Sequence, residues 1–495
     1  MAEKEGQNSN KSEEEEEEEE KQQPMPGKDI PLASSHQIKR RPDGRPVMLC
    51  RIPLSAVAAS RPEITNRLKF KWVNKVDEFG NTALIRAAKK GHGDVVKMLI
   101  KSQETDTNHS NNNGNTALIL AAEHGHELIV KMLLDSEGIL VNQQNKLGIT
   151  SLSWAATNGH EGIMKMLLER EEIKVNLASF AGKVVQYNTP LIIAACNGHD
   201  IIVKMLLERE DIEVNQTNDI GRTALIESVK LGHEKVVHRL LQCNRIQVNK
   251  TDGGGNTPLI VATIYEHEKL VKMLLACEGI KVNESNKTGK TALMQASSRG
   301  NVETVQMLLE NEEIFVNSST IHGTTALMLA AGKGHYKVVE ILLQRQEIEV
   351  NRGDKNGATA LQFAIYKRSN RIVSLLLENE YINVNQKDYH GGTPLITAIL
   401  NGNEEAVAPL LKMGIIDVNL ALDNGLTPLH LASKRGYHRI VKMLLKKDGI
   451  EVNLADMQGD TPIVLAANRR YGKVVDLLLG TGLAWHGWRP NATPG

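Results

Sequence analysis

The sequence predicts an all-α solenoid of stacked helix pairs, and three observations carry that prediction. First, from residue 73 onward the chain repeats itself. An Asn, usually preceded by Val, recurs at positions 74, 108, 142, 176, 215, 249, 283, 317, 351, 385, 419 and 453. Ten of the eleven intervals are 34 residues and the remaining one, Asn176 to Asn215, is 39. Second, each of these Asn residues is followed six positions later by Gly, from Gly80 to Gly459, and a Thr then opens the next segment, from Thr82 to Thr461. Third, the chain is 41% hydrophobic over 495 residues, enough to bury a core, so disorder throughout is excluded. A fixed period of this length marks an array in which each unit packs only on its neighbours.

One unit shows what each element must do. In Asn74-Lys-Val-Asp77-Glu-Phe-Gly80, Asp77 and Gly80 supply turn chemistry, the glycine being free to take positive φ. Thr82 stands where an N-cap is needed, its hydroxyl positioned to accept from an unpaired amide of the first helical turn. Leu84, Ala87 and Ala88 share one helical face, and the two alanines allow a neighbouring helix to approach closely. Gly91 is placed to end that helix in a left-handed conformation. Val95, Val96, Met98 and Leu99 then read as the apolar stripe of a second helix. The Ile-x-Val-Asn leading to the next turn reads as a short extended arm. Such a unit cannot bury its apolar face alone.

These residues resemble the ankyrin repeat. The stretch Thr427-Pro428-Leu429-His430-Leu431-Ala432 fits that family's signature almost letter for letter. Most other units read Thr-Ala-Leu or Thr-Pro-Leu with Ile or Met in place of His. The period is one residue longer than the family's usual one, the extra residue falling between the second helix and the finger. The resemblance spans about residues 73–480. It implies paired antiparallel helices with short β-hairpin or loop fingers, stacked in a curved solenoid. It also implies a non-catalytic scaffold or adaptor that binds other proteins through its concave face and finger tips.

Charge divides the rest of the chain. Residues 1–24 carry ten acids, including the run Glu13 to Glu20, against three lysines; residues 25–72 carry ten Lys and Arg against three acids. Residues 1–50 therefore read as a disordered tail, first acidic and then basic, and residues 51–72 as a linker or an N-terminal cap. Residues 481–495, with Trp485 and Trp488, read as a C-terminal tail or a closing cap. With 59 Lys and Arg against 59 Asp and Glu overall, the array lacks the basic surplus that neutralises many phosphates, so no nucleic-acid partner is expected. No apolar run approaches a membrane span. Four cysteines make no disulfide framework. Cys243 and Cys277 stand one period apart, which puts them about 10 Å from each other on packed helices. A monomeric, intracellular protein of the cytoplasm is expected, and Lys39-Arg40-Arg41-Pro42 opens a nuclear destination as an alternative.

No nucleotide-binding or catalytic motif is present: there is no GxxxxGK[ST], GxSxG, HExxH or kinase signature set. No cofactor is expected. Seven histidines (His92, His126, His160, His199, His233, His267 and His335) share one slot after the first helix, which reads as a structural role bridging adjacent units rather than metal binding. Asn215, Asn249, Asn283 and Asn317 begin N-x-S/T sequons but are also the period-marking residues, so glycosylation is not expected. Two alternatives stay open, a regulatory or targeting subunit acting in the nucleus and the repeat region of a larger enzyme or channel.

Three departures from the period mark candidate contact residues. Five extra residues lie between Gly182 and Thr189, where Val184, Val185 and Tyr187 are apolar residues on a finger. Removing Val184 to Asn188 is expected to leave the fold unchanged. Aromatics are rare at 3%, yet Phe79 and Tyr389 fall on fingers and Tyr265 and Tyr366 near first-helix ends. His390 accompanies Tyr389, and Tyr366 with Tyr389 is the candidate hot spot. Trp154 and Phe363, one turn earlier, read as packing residues. Finally, the units from Asn249, Asn351 and Asn453 replace the inter-helix Gly by Glu266, Arg368 and Arg470, a change expected to cost about 1 kcal/mol each in a left-handed turn.

Overall fold

The computed structural model describes residues 73–180 and 187–480. The expected tails, the linker, the basic cluster at 39–45, Val184, Val185, Trp485 and Trp488 lie outside the described residues. Among the described residues, twenty-four α-helices of seven to nine residues follow one another in pairs, two per unit. With units numbered 1 to 12 from Asn74, Asn108 and so on to Asn453, unit 1 holds the helices Ala83–Lys90 and Gly93–Ile100. First helices pack on first helices of the neighbouring units, and second helices on second. Helices this short are not stable alone in water, so the stack supplies what the local sequence lacks.

The first helices start as expected. In ten units the Thr hydroxyl accepts from the amide three residues on, as Thr82 does from Ile85. Leu84, Ala87 and Ala88 are buried, and so is Ile85. One apolar cluster runs unbroken from Leu84 to Leu478, built from these positions and the Val and Leu of the second helices. Each leucine buried in full contributes about 1.5–3 kcal/mol. Trp154 and Phe363 are partly buried against this cluster, in agreement with a packing role.

Two expectations need correction. Met98 is not part of a buried stripe: it is 67% exposed, and the face of its helix is held by Val96, with Val95, Leu99 and Ile100 partly buried. The Ile-x-Val-Asn arm is not extended either. Val282 and Asn283, for example, lie in a turn with Val282 buried. Among the described residues there is no strand, only isolated bridges at Ser179 with Asn188, Ser319 with Thr325, and Gly353 with Thr359.

The period-marking Asn is explained by what it touches. Its Nδ2 donates to a carbonyl 30 residues on and its Oδ1 accepts from an amide 32 residues on, or 35 and 37 at Asn176, whose interval is five residues longer. Asn283 donates to Glu313 O at 2.7 Å and accepts from Phe315 N at 2.8 Å. Asn215 and Asn249 make the same two bonds. Asn317 does too. Each amide is thus committed to the next unit, which explains why the sequon is a by-product of the repeat.

The shared histidine slot has an equally local cause. Nε2 donates to a backbone carbonyl of the preceding unit in His126, His160, His199, His233, His267 and His335, at 2.9–3.4 Å. The ring lies against the left-handed Gly of that unit: a Cβ on Gly125 would meet His160 Cε1 at 2.7 Å, and one on Gly436 would meet Tyr471 at 2.8 Å. Where the Gly is replaced, the facing residue changes with it. Glu266 and Arg368, at φ 59°, face Asn301 and Asn403, which carry no ring. Most interfaces therefore carry a matched pair, Gly with a ring or a side chain with a small amide, and Gly334 faces the small hydroxyl of Ser369 instead.

That matching predicts non-additivity. Asn301→His alone should destabilise the junction of units 6 and 7, because the new ring meets the Cβ of Glu266. Adding Glu266→Gly should restore stability. A double-mutant cycle by thermal unfolding is expected to give a coupling of about 1–2 kcal/mol; additive effects would refute the pairing.

Candidate protein-interaction surface

Most fingers are turns closed by one acid or amide, and the Thr320 hydroxyl takes that part in unit 8. Asp77 Oδ1 accepts from Phe79 N and Asn81 N, both at 2.9 Å, and Gly80 takes φ 75°. These hydrogen bonds hold the Asp77 carboxyl below its ordinary value, against the opposing effect of partial burial. The fingertips are then tied to one another by single backbone bonds, Asn112 N to Phe79 O at 3.0 Å, Phe180 N to Leu147 O at 3.0 Å, and Tyr389 N to Asn356 O at 2.8 Å. Backbone geometry thus fixes the row of tips, while the two residues at each tip are free to vary.

At the long interval this row becomes apolar. Ser179 and Asn188 exchange both backbone bonds at 2.9 Å and close the base of the longer loop. Tyr187 packs edge-on against Phe180 with ring centroids 4.8 Å apart. Leu147 on the preceding finger is 55% exposed, Phe180 and Tyr187 are 40% and 41% exposed, and Ile220 on the following finger is 38% exposed. Three successive fingertips therefore present apolar side chains around the insert. Sequence reasoning found Tyr187 and missed Leu147, Phe180 and Ile220. The signal was available, because all three fall in the two tip positions between turn residue and Gly, and reading those positions as a column exposes it.

Asn188 belongs to the frame and not to the free loop. It is buried, and its Oδ1 accepts from Asn218 Nδ2 at 3.1 Å; Asn218 also bonds Glu227, which pairs with Arg222 at 3.4 Å. The residue before the capping Thr plays this part elsewhere, as Asn81 accepts from Asn111 at 2.9 Å. The five residues outside the frame are accordingly Lys183 to Tyr187, not Val184 to Asn188.

The other candidate residues are dispersed. Phe79 is exposed at the tip of unit 1, and Tyr389 and His390 are exposed at the tip of unit 10. Tyr366 is exposed in the last turn of the first helix of unit 9. Among the described residues no ring contact joins Tyr366 to Tyr389. Tyr265 caps the first helix of unit 6, stacks at 6.4 Å on His267 and lies 5.9 Å from Lys230 Nζ. Tyr265 is thus partly occupied by its own neighbours.

Burial pushes the Cys196 thiol up to about 12, which removes its thiolate at neutral pH. Cys243 and Cys277 are free thiols. Among the described residues no group of three or more His, Cys, Asp or Glu is placed to hold a metal ion, and no helix is long and apolar enough to cross a membrane.

Comparison with known families agrees with this architecture. A model of ankyrin repeats in three copies matches the chain six times, over residues 54–145, 137–218, 191–286, 278–354, 346–421 and 413–484. The first match begins inside the stretch read as a linker or cap. No curated protein matches the sequence as a relative. Ankyrin repeats are protein-interaction modules, and the matched stretches, the capped helix pairs and the finger ladder together establish that the chain belongs to the ankyrin repeat family.

Proposed function

We propose that the chain is a non-catalytic scaffold or adaptor that binds partner proteins through its fingertips and first-helix face, with the insert in the finger of unit 4 as its principal contact. The observation that carries this reading is the apolar fingertip patch of Leu147, Phe180, Tyr187 and Ile220. A fold that buries its leucines this completely gains nothing from exposing four large apolar side chains on three adjacent tips. The aromatic pair adds rigid contact area at low entropic cost on binding. A soluble intracellular site of action, in the cytoplasm or the nucleus, is consistent with the sequence, and the partner is a protein whose surface offers a complementary apolar site.

The test removes the patch without touching the frame. Excising Lys183 to Tyr187 brings the long interval to the common period and keeps Asn188 in place, so the melting temperature should move by no more than about 2 °C. Proximity labelling in cells, run on the intact chain, the excised chain and Phe180→Ser, should lose the same subset of labelled proteins in both variants. A large fall in melting temperature would instead make the insert core, and identical labelling would dismiss the patch as a contact.

A further inference from the structure

We propose that the first-helix ends of units 9 to 12 form a cationic strip that binds an acidic, extended segment of a partner protein. The strip consists of Lys367 and Arg368 in unit 9, Lys434 and Arg435 in unit 11, and Arg469 and Arg470 in unit 12, all exposed. Among the described residues no ion pair joins any of them to a carboxylate. Two of the corresponding cations in the middle of the array are engaged, Arg299 with Glu266 at 3.4 Å and Lys230 over the Tyr265 ring. Lys333 of unit 8, next to the strip, also has no carboxylate partner among the described residues. Unit 10 has no cation in these slots, and Arg368 bridges that gap, its guanidinium donating to Asn401 O of unit 10.

Backbone strain is the second observation. Nine of the twelve units hold Gly at the left-handed position between the helices. Two of the three exceptions are Arg368 and Arg470, at φ 59° and 60°, and both lie in this strip. An L-residue held there is disfavoured by the fold, and strain retained on exposed residues points to a role for the side chain. A glycine would be easier to accommodate and would carry no charge. Basic residues near helix C-termini are favoured by the helix dipole, which explains one cation per helix but not an arginine in the left-handed position.

The spacing defines the ligand. Packed helices stand about 10 Å apart, which equals about three residues of an extended polyproline II chain at 3.1 Å each, whose every third side chain shares one face. Carboxylates at every third position would therefore meet successive units, and about ten residues would span the strip. Tyr366, exposed beside Lys367, offers an apolar surface at one end. The proposal rests on the array being an interaction module but not on the fingertip patch, which lies in other units.

The test is fluorescence anisotropy with the full chain and a labelled ten-residue peptide carrying Glu at every third position. Binding should weaken about tenfold between 50 and 200 mM salt, and the same peptide with Lys for Glu should not bind. Arg368→Gly with Arg470→Gly should weaken binding about fivefold or more while the melting temperature stays the same or rises. A merely structural role would give the opposite, loss of stability with unchanged binding. The chain lacking Lys183 to Tyr187 should bind the peptide normally, which separates this surface from the fingertip patch. Equal binding by the double-glycine variant would overturn the proposal. So would a single-stranded DNA oligonucleotide that binds about tenfold tighter than the peptide, since the strip would then belong to nucleic acid.

Discussion

Gly221→Val is expected to unfold the middle of the array locally, at a loss of about 3 kcal/mol. Gly221 sits at φ 78° in the turn where its amide donates to Asn218 O at 3.0 Å. A β-branched residue in that region is strained by about 1–3 kcal/mol. The larger difficulty is space: a Cβ there would lie 2.7 Å from Gly253 N, the amide that donates to Ile220 O at 3.0 Å. Valine therefore strains its own turn and breaks the bond that ties finger 5 to finger 6. Because each unit touches only its neighbours, hydrogen exchange should rise over residues 176–283 and remain unchanged in units 1, 2 and 10 to 12. Gly279→Val is the control. That glycine also has positive φ, at 73°, but no atom lies within 4 Å of its Cβ position. It should show the backbone strain alone, about half the loss or less. Uniform deprotection along the whole array would contradict a one-dimensional chain of interfaces.

Much of this was legible because the repeat states each requirement many times over, the turn glycine and the Thr cap in all twelve units. Turn glycine, Thr cap, alanine pair and histidine slot are each dictated by a contact within one unit or with the next, so recurrence in sequence reports recurrence in space. Met98 shows the limit. Period and hydrophobicity place it on the stripe, but whether a side chain at that edge is covered depends on the neighbouring helix and not on its own spacing. The fingertip patch was half visible for a related reason. Tyr187 was conspicuous as an aromatic in an insert, whereas Leu147 and Ile220 are ordinary residues that matter only because backbone bonds set their fingers side by side. The cationic strip is invisible to composition, since the array sums to zero charge. Acids such as Asp388 and Asp456 accept backbone amides inside finger turns, and the helix-end cations have no carboxylate partner among the described residues.

Replacing His430 is expected to distinguish a hydrogen-bonding role from a titrating one. The side chain is wholly buried. Nδ1 accepts from Thr427 N at 3.2 Å, and Nε2 donates to Asp460 O of the next unit at 3.1 Å. His430→Ala should cost about 3 kcal/mol, since it leaves a cavity and two buried backbone groups unpaired. Unit 9 shows which residue can substitute. Gln362 occupies the same slot, accepting from Thr359 N at 3.0 Å and donating to Gly392 O at 2.9 Å. His430→Gln should therefore retain most of the stability. The two side chains differ in titration. Burial pushes His430 below its ordinary value of 6.5, opposed by the Asp460 carbonyl, and a proton on Nδ1 would remove the acceptor that Thr427 N uses. With the folded-state value depressed, the unfolded chain takes up a proton first as pH falls. Stability contributed by neutral His430 is thus complete above about pH 6.5 and declines as pH drops through that value toward the folded-state one. Hydrogen exchange over residues 419–480 at pH 7 and pH 5 should show that decline in the native chain and a smaller one in His430→Gln. Equal pH dependence in both would assign the titration to other groups and leave His430 as a hydrogen-bonding residue alone.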